Sequence, residues 1–150
     1  MKFGLILGHD LDTGRIALNV RSAEDAGFDS VWVGDHIGLP DVYKSRYPYL
    51  TPQGDTGQWS RPLETPIMDS LLVFAFLAGQ TRTIKFATGV YLIPLRHPVI
   101  TARLIATLDH LCNGRFLFGV GTGWDREEFE WVDANFDDRG VRTTEALELM

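Results

Sequence analysis

Short apolar runs alternate with amphipathic runs along this chain, and that alternation limits its fold more than any other feature. Lys2 to Leu7 reads as a buried strand ending at Gly8. Asp12 or Thr13 can cap a following helix that carries Ile16, Val20 and Ala23 on one face and stops at Gly27. Ser30 to His36 ("SVWVGDH") is a second buried strand that turns abruptly polar. "PIMDSLLVFAFLAGQT" predicts a helix that is apolar almost all round, hence packed on most sides. "IKFATGVYLIP", from about Ile84, is the third strand. A helix from about Pro98 follows, with Ile100, Leu104, Leu108 and Leu111 expected to face inward and Asn113-Gly114 closing it. "RFLFGVG" is the fourth strand. Strands that alternate with helices imply an α/β fold with a parallel sheet.

Two of the three strand-to-strand intervals have the size of one βα unit, and the middle one is nearly twice as long. The excess is residues 37–66, with five prolines, three tyrosines and Trp59 but little helical or alternating pattern. Loops of that length are usually functional or disordered, and the aromatics favour a lid-like insertion.

Composition excludes several classes. At 150 residues the chain has enough length for one modest core, and 45% hydrophobic with 23% charged residues is ordinary for a globular protein. A formal net charge of −6 offers no footprint for nucleic acid or an anionic membrane. The apolar stretch in "MKFGLILGHD" is too short for a signal peptide or a membrane span, so a cytoplasmic protein is expected. One cysteine, Cys112, excludes an internal disulfide and reads as a buried structural thiol. The four histidines lack metal-ligand spacing, and no metal is predicted.

The glycines of "FGVGTGW" invite a phosphate-loop reading, which the spacing rejects. A G-x-G-x-x-G fingerprint begun at Gly119 would need its third glycine where Trp124 stands, and one begun at Gly121 would need it at Arg126. No G-x-x-x-x-G-K-[ST] motif occurs either. Two readings are left. The glycines end a strand where a planar ligand approaches the backbone, or they serve a turn and close strand packing. Other strands also end in polar residues: Gly8-His9-Asp10, Asp35-His36, Thr88-Gly89-Val90 and Thr122-Gly123-Trp124. In a barrel these ends share the C-terminal face, where enzymes of that fold place their chemistry.

Three segments give the chain a further likeness: "AEDAGFDSVWVGDH", "ATGVYLIPLRHPVITARLIATLDHLCNGRFLFGVGTGW" and "DREEFEWVDANFDDRGVRTTEALELM". Together they resemble the bacterial luciferase-like monooxygenase superfamily, most of all its coenzyme F420-dependent oxidoreductases. The resemblance implies a (β/α)8 TIM-barrel fold, of which residues 1–150, with about four parallel strands, would be the N-terminal half. It implies a deazaflavin, F420, bound at the strand ends, with FMN as the alternative. A non-prolyl cis peptide in strand three would lie against the ring, here at Gly89-Val90. Asp35 and His36 would meet the ring's polar edge, with His36 steadying charge or moving a proton. Thr122 and Gly123 would lie along the ring and its side chain, and Asp10 matches an acid of some sugar-phosphate dehydrogenases. Those enzymes have glutamate where this chain has Trp124, which argues for a flatter, more apolar substrate. Trp124 as a core residue is the other reading.

"PLRHP" offers Arg96 as a contact for an anionic tail and His97 as a helix-start residue, while "DREEFEWVDANFDDRG" reads most simply as a solvated helix and turn. Four strands leave an open edge, and "TTEALELM" stops inside an amphipathic helix. The expectation is therefore a truncated single domain acting on a small molecule, with no nucleic-acid or membrane partner and a homodimeric state typical of the family. The expected activity is hydride exchange between F420 and a small organic substrate. The rivals are an FMN-dependent monooxygenase and a non-catalytic half-barrel that dimerises or binds a partner.

Overall fold

The computed structural model describes residues 1–8, 12–48 and 66–150. Asp10, and residues 49–65 of the lid-like insertion, lie outside the described residues. Four strands, β1 (Gly4–Ile6), β2 (Ser30–Val33), β3 (Lys85–Thr88) and β5 (Phe116–Leu117), form one parallel sheet in the order β1-β2-β3-β5. Their register is fixed by pairs such as Leu5 with Val31, Val31 with Phe86, and Phe86 with Phe116. Two short strands, β4 (Tyr91–Leu92) and β6 (Val120–Gly121), continue the paths of β3 and β5 and pair in parallel. The third and fourth strands read from the sequence are each interrupted. The peptide bond Gly89-Val90 between β3 and β4 is cis.

Helix α1 (Thr13–Asp25) starts where the Asp12 carboxylate accepts the N–H groups of Gly14 and Arg15. Its stripe of Ile16, Val20 and Ala23 is buried, as the periodicity predicts. Gly27 follows at φ +84°, a conformation that glycine reaches without Cβ strain. Helix α2 (Ser70–Ala78) begins later than its apolar pattern suggests, because Asp69 caps Leu71 and Leu72. Phe74 and Leu77 are fully buried, but Leu72 and Phe76 are exposed, so the helix packs on one side only. Helix α3 (Pro98–Leu111) buries Thr101 and Leu108, whereas Ile100, Leu104 and Leu111 face outward, against expectation. His97 is its N-cap residue without a side-chain capping bond. Short α4 (Arg126–Trp131) and α5 (Arg139–Leu149) complete the fold.

Two side chains, half-buried Glu24 and buried Arg115, tie elements together at the sheet's N-terminal end. Glu24, near the end of α1, accepts the N–H groups of Arg82, Thr83 and Ile84 and so sets the entry to β3. Burial alone would raise its pKa, but those N–H groups and the Thr83 hydroxyl bring it down to about 2. Arg115, just before β5, spends its guanidinium on the carbonyls of Cys112, Ile84 and Ala78 and on the Thr81 hydroxyl. Cys112 itself is fully buried, consistent with a structural thiol.

Candidate active site

At the opposite end of the sheet, the C-terminal strand ends are held in one hydrogen-bonded rim. The Gly89 N–H donates to the Val33 carbonyl, and the Tyr91 N–H donates to the Gly119 carbonyl, both at 2.8 Å. The Thr88 hydroxyl donates to the Gly119 carbonyl at 2.8 Å and accepts the Gly119 N–H at 2.9 Å. A side chain at Gly119 would overlap the Thr88 carbonyl oxygen, and one at Gly121 would overlap Val90 Cγ2. Gly123 sits at φ +82° with Phe129 against its open side. Close packing and a turn therefore account for all three glycines of FGVGTGW. Val90 stays about two-fifths exposed beside them, and Thr122 is exposed.

Asp35 and His36 follow β2 and point to different anchors. Asp35 is 4% exposed and receives Arg96 through two bonds, Nη1 to Oδ2 at 2.6 Å and Nη2 to Oδ1 at 2.8 Å. Its Oδ2 also accepts the Leu92 N–H at 2.9 Å. The Arg96 guanidinium lies 4.4 Å from the centre of the Tyr91 ring and 4.0 Å from Asp69. Burial works against the Arg96 charge, yet Asp35 more than offsets it and raises the Arg96 pKa. Arg96 is thus a partner of Asp35. Asp35 fixes the end of β2 to β4, with both its oxygens engaged.

His36 Nδ1 lies 3.1 Å from Glu128 Oε2, and Glu128 Oε1 accepts the Ile37 N–H at 2.6 Å. The His36 side chain is 10% exposed and that of Glu128 1%. Glu127, 5% exposed, accepts the backbone N–H groups of Lys44 and Ser45 and the Ser45 hydroxyl. The acidic start of α4 is therefore no solvated helix face. Two of its carboxylates turn inward and bind the chain that follows β2.

Asp125 caps α4 through the Glu127 N–H at 3.0 Å and is itself fully buried. Burial first, then the neighbouring Glu127 and Glu128 carboxylates, push its pKa up to about 7. Burial also acts to raise Glu127, but hydrogen bonds from Asp125, Ser45 and Lys44 hold it well below the usual carboxylate range. Within this pair Asp125 carries the proton.

Trp124 is stacked on Tyr43, ring centres 5.9 Å apart, and meets Tyr47 edge-on at 5.0 Å. Farther along, the open side of Gly38 lies on the Trp131 ring. Residues 36–47 are thereby docked along 124–131 by two carboxylates and an aromatic cluster. The local sequence hides this docking, because the partners stand more than 75 positions apart. The local signal is a run of acids interrupted by Phe129, which is buried.

Asp35, His36, Gly89, Val90, Thr122 and Gly123 all lie on this rim or in the turns that leave it. Among the described residues, no helix is long and apolar enough to cross a membrane.

The family model for luciferase-like monooxygenases matches residues 1–150. A 5,10-methylenetetrahydromethanopterin reductase of Archaeoglobus fulgidus is 29% identical over 150 residues, covering 100% of this chain and 36% of the reductase. A 4-hydroxyprotoasukamycin monooxygenase of Streptomyces nodosus subsp. asukaensis is 29% identical over 147 residues, 98% of this chain and 32% of that enzyme. Among solved structures, the coenzyme F420-dependent tetrahydromethanopterin reductase of Methanopyrus kandleri superposes with a TM-score of 0.61. Its sequence identity is 29%, over 88% of this chain and 30% of that one. The chain spans less than half the length of the curated relatives it matches.

Proposed function

The chain belongs to the luciferase-like monooxygenase family, and from that premise we propose that it serves an oxidoreductase transferring hydride between coenzyme F420 and a small, flat organic substrate. The observation that carries this reading is the rim itself. The rim carries an exposed Val90 and glycine backbone, and a nearly buried histidine backed by a carboxylate follows the neighbouring strand β2. An apolar surface next to one proton-handling group suits a planar ring with a polar edge, so the residues present fit the cofactor. Likeness to two methanopterin reductases at 29% identity, one of them named as F420-dependent, supports a deazaflavin.

When bound, the deazaflavin supplies the hydride chemistry, and the protein supplies orientation and charge. Val90, with Gly121 directly behind it, forms a firm apolar support for one face of the ring. His36 holds or moves a proton at the ring's polar edge. Asp35 is a positioning residue, since its contacts with Arg96 and Leu92 fix the strand end from which His36 projects. Thr122 and Gly123 border the path of the cofactor's side chain. Trp124, Tyr43 and Tyr47 give an aromatic wall under which an apolar substrate is held, with residues 37–66 as its lid.

Separate titrations of the protein with F420 and with FMN, followed by ring fluorescence, test the proposal. Saturable F420 binding with weak or absent FMN binding is expected. Tight FMN binding with no response to F420 overturns it in favour of a flavin-dependent enzyme; monooxygenation is the reaction named for the Streptomyces relative.

A further inference from the structure

Glu128 stands out among the buried groups because nothing in a helix start of this kind requires it to turn inward. Helix α4 is already capped by Asp125, and an acid at this position serves the helix dipole equally well from the solvent side. Instead Glu128 is 1% exposed and divides its two oxygens between adjacent residues of a distant segment. Oε1 takes the Ile37 N–H at 2.6 Å, and Oε2 faces His36 Nδ1 at 3.1 Å. The first contact fixes the carboxylate in place; the second acts on the imidazole.

An ionised carboxylate only accepts hydrogen bonds, and a neutral imidazole carries its proton on one nitrogen. With Oε2 opposite Nδ1, the proton belongs on Nδ1, which makes Nε2 the basic nitrogen. We infer that Glu128 is a positioning residue that holds His36 in the Nδ1–H tautomer and orients Nε2 for the proton step of the reaction. A proton arriving at Nε2 leaves the Nδ1–H still pointing at Glu128 Oε2. Asp35 lies one residue earlier, and Arg96 anchors it independently. The histidine's backbone and its ring are thus held from two sides, by β4 and by α4.

The role of His36 in catalysis rests on the proposed oxidoreductase reading, whereas its tautomer does not. Glu128→Gln separates the two. The glutamine oxygen still accepts the Ile37 N–H, while its NH2 group now donates toward Nδ1, which must give up its proton. Histidine-selective 15N NMR of the cofactor-free protein, above the ordinary imidazole titration range, reads the tautomer directly. The His36 signals are assigned by their loss in His36→Gln. The wild type should show Nδ1–H with Nε2 unprotonated, and Glu128→Gln should reverse the pair. With F420 and substrate, the same variant should lose about tenfold or more in kcat with KM nearly unchanged.

An Nε2–H tautomer in the wild type overturns the inference, and so does a Glu128→Gln spectrum identical to the wild type. If the variant does not fold, the wild-type spectrum alone decides. Failure to bind either ring cofactor, with the tautomer reversal intact, counts against the oxidoreductase reading and leaves the positioning role standing.

Discussion

Arg96 and Asp35 each lose most of their hydration, and each has the other in its place. Removing one partner of such a pair leaves the other charge buried without compensation, a loss of about 3–5 kcal/mol. Arg96→Met should therefore lower the unfolding free energy by about 3 kcal/mol in a urea titration, although methionine fills much the same space. Glycines separate in the same physical way. Gly119→Ala forces a Cβ into the Thr88 carbonyl and should cost about 1–3 kcal/mol. Gly79→Ala meets nothing within 4 Å at a helical φ of −75° and should be neutral or slightly stabilising. Equal melting temperatures for the two variants would refute this contrast. At this scale the sequence shows that Asp35 and His36 lie at a strand tip, and that the glycines are no phosphate loop. It does not show what Asp35 and His36 bind, because Arg96 and Glu128 are 61 and 92 positions away.

Elements were legible where their signals are local. Asp12 as the cap of α1, its buried stripe and the βα order all follow from neighbouring residues. The inward face of α3 and the all-round burial of α2 did not follow, since apolar residues record only that a surface can be covered. Helix α4 shows the opposite failure: its acids look solvated, yet two are buried because the segment after β2 supplies the N–H groups they accept.

That docking carries a pH dependence. Asp125 has a folded pKa of about 7 against an ordinary 3.8, so its protonated form favours the fold. Its contribution is complete below the ordinary value and declines until the pH passes about 7. Glu127, with a lowered pKa, contributes in the opposite sense, and only in acid. Between about pH 5 and pH 8 the melting temperature should fall by about 5–10 °C. Asp125→Asn keeps the helix cap and removes the proton, and should flatten that slope. A wild-type profile that does not decline over this interval would count against the buried proton.

Considered whole, the molecule has two differently built ends. Strands β1 and β5 have a strand neighbour on one side only among the described residues. Ile6 is 79% exposed on one of these edges and Leu117 40% on the other. Open, apolar strand edges favour pairing with further chain. The isolated protein should associate in a concentration-dependent way in sedimentation velocity, and Ile6→Lys should shift it toward monomer. If it is monomeric at every concentration, the edges do not pair. Meanwhile the N-terminal end is closed around one guanidinium. Arg115 gathers the ends of α2 and α3 and the start of β3, and none of its partners takes part in the rim where His36 stands. A substitution at the rim therefore leaves the contacts of this guanidinium in place. A lineage built on this plan can reshape the rim while the clasp that gathers the opposite end stays as it is.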